Sequence, residues 1–193
     1  MKKVFLGLCV ATGLALAYSF TINSQQANKA AVKDAEHDSH VKWMTYEEAV
    51  VASKKNPKKI FIDVYTNWCG WCKKMDRETF QKPAIAKYLN ENFYPVKFDA
   101  EQKKEIKFAG RTFKFIPNGR RGYHELAAAL LEGKMSYPTV VFMNEDFQLL
   151  QRIPGYLEEQ AFETILHYLA EEHYTKTSWA DFQKKYQKEK VRD

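Results

Sequence analysis

Cys69 and Cys72, in the run Trp68-Cys69-Gly70-Trp71-Cys72, are the residues whose type and spacing could do chemistry. A C-x-x-C pair serves thiol–disulfide exchange, zinc binding or attachment of c-type haem. Haem attachment needs a histidine directly after the second cysteine, where this chain has Lys73. Zinc needs further ligands, and His37-Asp38-Ser39-His40 offers imidazoles only within a stretch of linker character, a poor place for a tetrahedral site. Exchange is the favoured chemistry, and it requires a cysteine whose thiolate form is stabilised and exposed. A helix starting near Gly70 would hold Cys69 where unpaired N–H groups and the positive end of the helix dipole attract an anion, with Lys73 and Lys74 adding positive charge. Cys72, one turn on, faces back to Cys69 and is expected to be the less exposed of the two. Cys69 attacks and Cys72 resolves.

Such a pair has to be held by a strand on one side and a helix on the other, and both are legible. Ile60-Phe61-Ile62-Asp63-Val64-Tyr65 is apolar enough for a strand buried on both faces, Asp63 excepted. Lys73 to Phe80 continues as helix after the cysteines. Thr45-Tyr46-Glu47-Glu48 is a capping box that opens a helix over about 46–54. Pro83 to Asn90 is a short helix with proline in its first turn, and Phe93 to Phe98 returns to strand. Ile106 to Ile116 alternates on either side of Ala109-Gly110, the pattern of one hairpin, closed by Pro117-Asn118-Gly119. His124 to Leu131 is helical with Gly133 as its stop. Pro138 to Met143 is a buried strand, and Phe147 to Ile153 its antiparallel neighbour. Leu157 to Tyr174 is amphipathic and should pack on the sheet. Trp179, Phe182 and Tyr186 share one face of a further helix, expected to dock on the domain.

The N-terminus bounds where the chemistry takes place. Lys2 and Lys3 precede an apolar run with Ala15-Leu16-Ala17 at its end, which is the pattern of an export signal over residues 1–17, extending to 20 or kept as an uncleaved anchor. Residues 18–41 read as a linker. Removing the signal takes Cys9 with it and leaves, of three cysteines, only Cys69 and Cys72. A bond spanning two residues staples nothing, so a chemical role is favoured over a structural one. The remainder of the 193 residues, 45% hydrophobic and 15% aromatic, divides into a globular domain over 42–175, with an insertion at about 100–135, and a charged tail or helix over 176–193. The formal charge of +6 is spread among interleaved acids and bases with no nucleic-acid motif, so no nucleic-acid partner is inferred.

Phe61-Ile62-Asp63-Val64-Tyr65 followed by Trp68-Cys69-Gly70-Trp71-Cys72-Lys73 resembles the thioredoxin superfamily, in which a buried strand aspartate lies six positions before the first cysteine. Asp63 holds that position. The resemblance covers about 46–170 and implies a thioredoxin-like α/β fold, a central mixed sheet flanked by helices on both faces. It implies that Asp63 relays protons for Cys72, for which the raised pKa of a desolvated carboxyl is suited. It further implies a cis proline at Pro138 whose neighbour Tyr137 pairs through its backbone with the substrate chain, and a Trp68 that shields the sulfurs. Trp71 replaces the proline usual between the cysteines, which leaves the direction of electron flow open between reduction or shuffling and oxidation or isomerisation. A thioredoxin-like binding or chaperone module without turnover is the alternative from another class. Lys97 is not carried over, because its spacing fits the family poorly. The insertion, with its basic Gly119-Arg120-Arg121-Gly122 turn, is either a lid or docking surface beside the cysteines or a passive addition. The implied partners are disulfide-containing exported proteins and a membrane-bound thiol:disulfide electron donor in a bacterial periplasm. Neither a cofactor nor a metal is implied.

Overall fold

The structure is a computed structural model that describes residues 40–190. The export signal and nearly all of the linker lie outside the described residues. Among the described residues no helix is long and apolar enough to cross a membrane.

Strand β1 (Lys59–Tyr65) is buried over its first six residues, as expected of a central strand. It lies parallel to β2 (Phe93–Asp99) and antiparallel to β7 (Thr139–Met143), and β7 pairs antiparallel with β8 (Leu149–Pro154), giving the order β2-β1-β7-β8. Alternation along β1 sends Ile60, Ile62 and Val64 into one apolar layer and Phe61 into the other. Asp63 therefore points to the side of Phe61. The first layer is completed by α1 (Tyr46–Lys55) and α4 (Glu125–Leu130), the second by α3 (Pro83–Asn92) and α5 (Glu159–Ala170). This is the helix-flanked mixed sheet implied by the resemblance. Val41, left to the linker on sequence grounds, is buried in the second layer at 8% exposure.

Local chemistry explains most of the helix ends. The capping box of α1 is complete: the Glu48 N–H donates to Thr45 Oγ1 (3.3 Å) and the Thr45 N–H donates to Glu48 Oε2 (2.8 Å). The helix expected to run through Phe80 does not stay α-helical. After α2 (Gly70–Met75) the chain widens into a π turn over Asp76–Phe80, closed by the Gln81 N–H on Asp76 O at 3.0 Å. The extra residue turns Thr79 and Phe80 inward together, both fully buried, with the Thr79 hydroxyl donating to Leu157 O at 2.6 Å.

The insertion holds two hairpins where one was expected. β3 (Ile106–Phe108) and β4 (Arg111–Phe113) turn at Ala109-Gly110, both left-handed (φ 49° and 75°), as a two-residue primed turn requires. Glu125 ends that ladder by taking the Lys114 backbone on both sides, its carboxylate accepting the N–H and its own N–H donating to the carbonyl, each at 2.8 Å. β5 (Phe115–Asn118) and β6 (Arg121–His124) then turn at Gly119-Arg120, so Pro117 and Asn118 lie inside a strand instead of closing one. Pro117 is tolerated because this two-stranded ribbon is all edge. His124 caps α4, accepting the Leu126 N–H on Nδ1 while Nε2 donates to Lys104 O.

After α5 and a 3₁₀ turn (His173–Thr175), α6 (Trp179–Lys190) docks through Phe182, 7% exposed and stacked near Tyr168 and His173 at 5.1 and 4.6 Å. Beside this docking, at the first residue of β1, the Lys59 ammonium, its side chain 6% exposed, reaches Glu145 at 3.0 Å and Glu172 at 2.8 Å.

Gly122 has a steric task in the second hairpin, since a Cβ there would stand 2.2 Å from Phe115 Cζ and 2.5 Å from the Ile116 carbonyl oxygen. Gly122→Ala should therefore lower stability by about 1–3 kcal/mol, the usual cost of overpacking. An unchanged thermal midpoint would show that the hairpin yields freely.

Candidate active site

Cys69 and Cys72 are joined by a disulfide at the junction of β1 and α2. Cys69 is the N-cap of α2, and its sulfur accepts the Cys72 N–H at 3.0 Å. The helix end thus presents a donor directly to the sulfur that would carry negative charge as a thiolate. The expected exposure of Cys69 is not found in this oxidised form: it is 5% exposed and Cys72 3%. Folding the Cys69 side chain back over the helix end, where it meets both the Cys72 N–H and the Cys72 sulfur, accounts for this.

Asp63 lies on β1 with no exposed surface. Directly across the parallel ladder from it stands Lys97, whose ammonium is 2.7 Å from Asp63 Oδ2 and 2.7 Å from Asp76 Oδ1. The contact with Asp63 is one of charge, and neither carboxylate oxygen has a well-directed hydrogen bond. Burial pushes the Asp63 pKa up from 3.8 to about 6, with Lys97 opposing the rise and Asp76 adding to it. Burial works against the Lys97 ammonium, but the two carboxylates more than offset this and raise its pKa. The rings of Trp43, Tyr65 and Phe80 lie around the ammonium at 4.8, 5.1 and 5.6 Å to their centroids and favour the cation.

Setting Lys97 aside on sequence grounds is thus corrected. The signal that could have found it is a single charge in the interior of each of two apolar strands, the fifth residue of both, the other charges standing at strand ends. Asp76 and Trp43 were missed because the π turn and the segment before α1 bring them in, and neither has a sequence signature of its own.

Between the disulfide and this ion cluster is a cavity of about 70 Å³ lined by Thr66, Cys72, Lys73, Asp76 and Lys97 among others. It has room for water, whose share of liquid volume is about 30 Å³. The buried hydroxyl of Thr66, without a protein partner, is suited to bind it.

The rim is aromatic. The Tyr137–Pro138 peptide bond is cis, and Tyr137 meets the edge of Trp68 at 5.9 Å. Trp68 also donates its Nε1–H to Glu101 at 3.0 Å and carries the Arg121 guanidinium over its ring at 4.2 Å. Trp71 packs on Tyr156 at 5.5 Å with the Lys74 ammonium over both rings at 5.1 Å. The structure therefore sets the exposed indoles of Trp68 and Trp71 and the half-buried Tyr137 around two buried sulfurs, with Pro138 and Asp63 also buried.

A family model for the thioredoxin-like domain matches residues 46–170. The chain belongs to the thioredoxin-like family. It is 30% identical over 137 residues to the thioredoxin of Borreliella burgdorferi, covering 70% of this chain and 94% of that one. It is 34% identical over 89 residues to the thiol:disulfide interchange protein DsbD of Vibrio vulnificus, covering 45% of this chain and 14% of that protein. The chain spans only 9–14% of the length of the longer curated relatives it matches. Among solved structures, a thioredoxin-fold protein from Helicobacter pylori superposes with a TM-score of 0.55 at 20% identity, covering 71% of this chain and 86% of the other, a likeness of fold.

Within this thioredoxin-like domain, the buried carboxyl has a defined effect on stability. Asp63 holds its proton to higher pH in the folded than in the unfolded chain, so its contribution is most favourable below pH 3.8 and is lost as pH rises through about 6. Asp63→Asn removes that loss. The oxidised variant should exceed the parent above pH 7 by about 2–3 kcal/mol, one pKa unit being about 1.4 kcal/mol. Denaturant unfolding at pH 4.5 and 8 should show the advantage shrinking at the lower pH; a pH-independent difference would contradict the assignment.

Proposed function

We propose that this protein is a thiol:disulfide oxidoreductase that reduces or shuffles disulfides of exported proteins by cycling the Cys69–Cys72 pair between dithiol and disulfide. The observation that carries the proposal is the coincidence of a reducible pair at a helix start with a buried carboxyl whose pKa is raised to about 6. Membership of the thioredoxin-like family, with likeness to a thioredoxin and to a stretch of DsbD, supports the same chemistry.

In this mechanism the Cys69 thiolate attacks one sulfur of a substrate disulfide. A mixed disulfide forms and the first substrate sulfur leaves as a thiolate. The Cys72 thiol then gives up its proton, which the buried carboxylate of Asp63 takes up; Lys97 and Asp76, which share a cavity with Cys72, link the two groups. The resulting Cys72 thiolate attacks Cys69 Sγ, expels the second substrate thiolate and closes the Cys69–Cys72 bond. Two electrons pass to the substrate, and the protein is left in the disulfide form described above. A dithiol donor, by this proposal a membrane-bound reductase, resets it. Tyr137 would align the substrate backbone beside cis Pro138, and Trp68 and Trp71 would cover the reacting sulfurs. Export to a periplasm is supported by the basic and apolar start of the chain.

The same residues run backwards make an oxidase or isomerase. A reduction potential near about −270 mV supports the reductase and one near about −120 mV the oxidase. In an insulin-reduction assay Cys69→Ser should abolish turnover, while Cys72→Ser should accumulate a mixed disulfide on Cys69. Turnover that survives in Cys69→Ser overturns the assigned roles. Full binding of a client by a variant lacking both sulfurs, with no turnover in the parent, would instead identify a binding module.

A further inference from the structure

We propose that the Arg120-Arg121 turn of the insertion and the exposed indoles of Trp68 and Trp71 form a docking surface for protein segments that carry acidic side chains beside the reacting disulfide. The inference rests on the redox reading of Cys69 and Cys72 and deepens it by naming the substrate chemistry.

Placement comes first. The β5–β6 ribbon is outside the central sheet, but it is tied to the domain by the His124 N–H on Ala100 O (2.7 Å) and by the Glu125 N–H on Lys114 O (2.8 Å). Its turn reaches the active-site rim, since the Arg121 guanidinium lies 4.2 Å above Trp68, the residue next to Cys69. The turn and the packing of the ribbon are both specified. Gly119 at φ 59° makes the two-residue turn, and the Phe115 ring fills the space over Gly122. A pre-positioned guanidinium loses less freedom on binding than one on a mobile loop.

The charge is uneven along the insertion. Lys104, Arg111 and Lys114 each face a carboxylate, on Glu47, Glu125 and Glu105 at 2.8, 3.6 and 3.1 Å. Among the described residues, no carboxylate lies within 4 Å of the charged groups of Arg120, Arg121 or Lys73, all three exposed. The carboxylates nearest Trp68 keep their charge but are fixed in place by neutral donors: Glu101 accepts the indole N–H, and Asp99 accepts from Asn67 Nδ2 and from the Glu101 N–H, each at 2.9 Å, whereas Arg121 lies over the ring. Glu78 is taken up by Arg77, Lys74 and Tyr156. Among the described residues, other exposed lysines of the insertion, such as Lys107, also lack a carboxylate within 4 Å, but Arg121 and Lys73 are placed beside the cysteine motif, over Trp68 and next to Cys72.

The apolar component points to the same spot. Trp68 and Trp71 are 50% and 59% exposed and flank the cysteines, and large side chains left this open mark a contact surface. Tryptophan, tyrosine and arginine are the side chains that carry most binding energy at protein interfaces. The occupant that fits is an extended polypeptide. Its disulfide meets Cys69, its backbone runs beside Tyr137-Pro138, and its carboxylates reach Arg120, Arg121 and Lys73.

The test uses three peptides of one length, each with a single disulfide flanked by Glu, Gln or Lys, and the small neutral hydroxyethyl disulfide as reference. Single-turnover oxidation of the pre-reduced protein is followed by indole fluorescence. The Glu peptide should react on the order of tenfold faster than the Lys peptide at low ionic strength, and the gap should close in 0.5 M salt. Charge reversal in Arg120→Glu/Arg121→Glu should invert the preference, each rate being taken relative to the same variant's rate with hydroxyethyl disulfide. Arg120→Glu alone, at an exposed turn position, should narrow it. Equal wild-type rates for the three peptides, or a preference that survives charge reversal, overturns the docking surface while leaving the redox reading intact. No reaction even with hydroxyethyl disulfide overturns both.

Discussion

A carboxyl group buried in the middle of a hydrophobic sheet is the constraint around which the rest of this structure is arranged. An ionised carboxylate cannot enter such an interior without a partner. Here the partner is supplied from the next strand, Lys97 at 2.7 Å from Asp63, and Lys97 is in turn steadied by Asp76 and by three aromatic rings. Compensation is incomplete, because Asp63 lacks well-directed hydrogen bonds and its pKa stays raised. Full compensation would have held the carboxyl ionised at every relevant pH and left it unable to take up a proton.

Several elements around this point were legible because their causes are local. The capping box at Thr45 and Glu48 acts over three residues, the burial of β1 shows in its own composition, and Ala109-Gly110 announces a primed turn. What was not legible depended on the meeting of distant segments. The Asp63–Lys97 pairing follows from the parallel register of β1 and β2, which no short window contains. The widening of α2 at Asp76 answers to Thr79 and Phe80 finding partners at Leu157 and Phe162, about eighty residues further along the chain. The second hairpin was misread because Glu125, beyond it in the chain, captures the backbone at Lys114 and cuts one expected ladder into two. In the site the same division holds. The cysteines, Asp63 and Pro138 stand in recognisable order along the chain, whereas Lys97, Asp76, Trp43 and Arg121 are brought in by folding.

The insertion gains its significance from this geometry. A hairpin grafted between β2 and β7 could have projected away from the chemistry, yet its Arg121 lies over Trp68. The rim of the disulfide is thereby built from two unrelated parts of the chain. One is fixed by the sequence next to the cysteines, and the other is free to vary in length and charge without disturbing the sheet.

Lys59 adds a temporal aspect to the architecture. Its ammonium is enclosed at the first residue of the central strand, and the carboxylates that balance it lie 86 and 113 positions further along. Until the β7–β8 turn and the segment after α5 have come into place, closing the sheet over that end of β1 would bury an unbalanced charge. The N-terminal half of the domain is thus discouraged from settling by itself, and assembly is coupled to arrival of the last third of the chain.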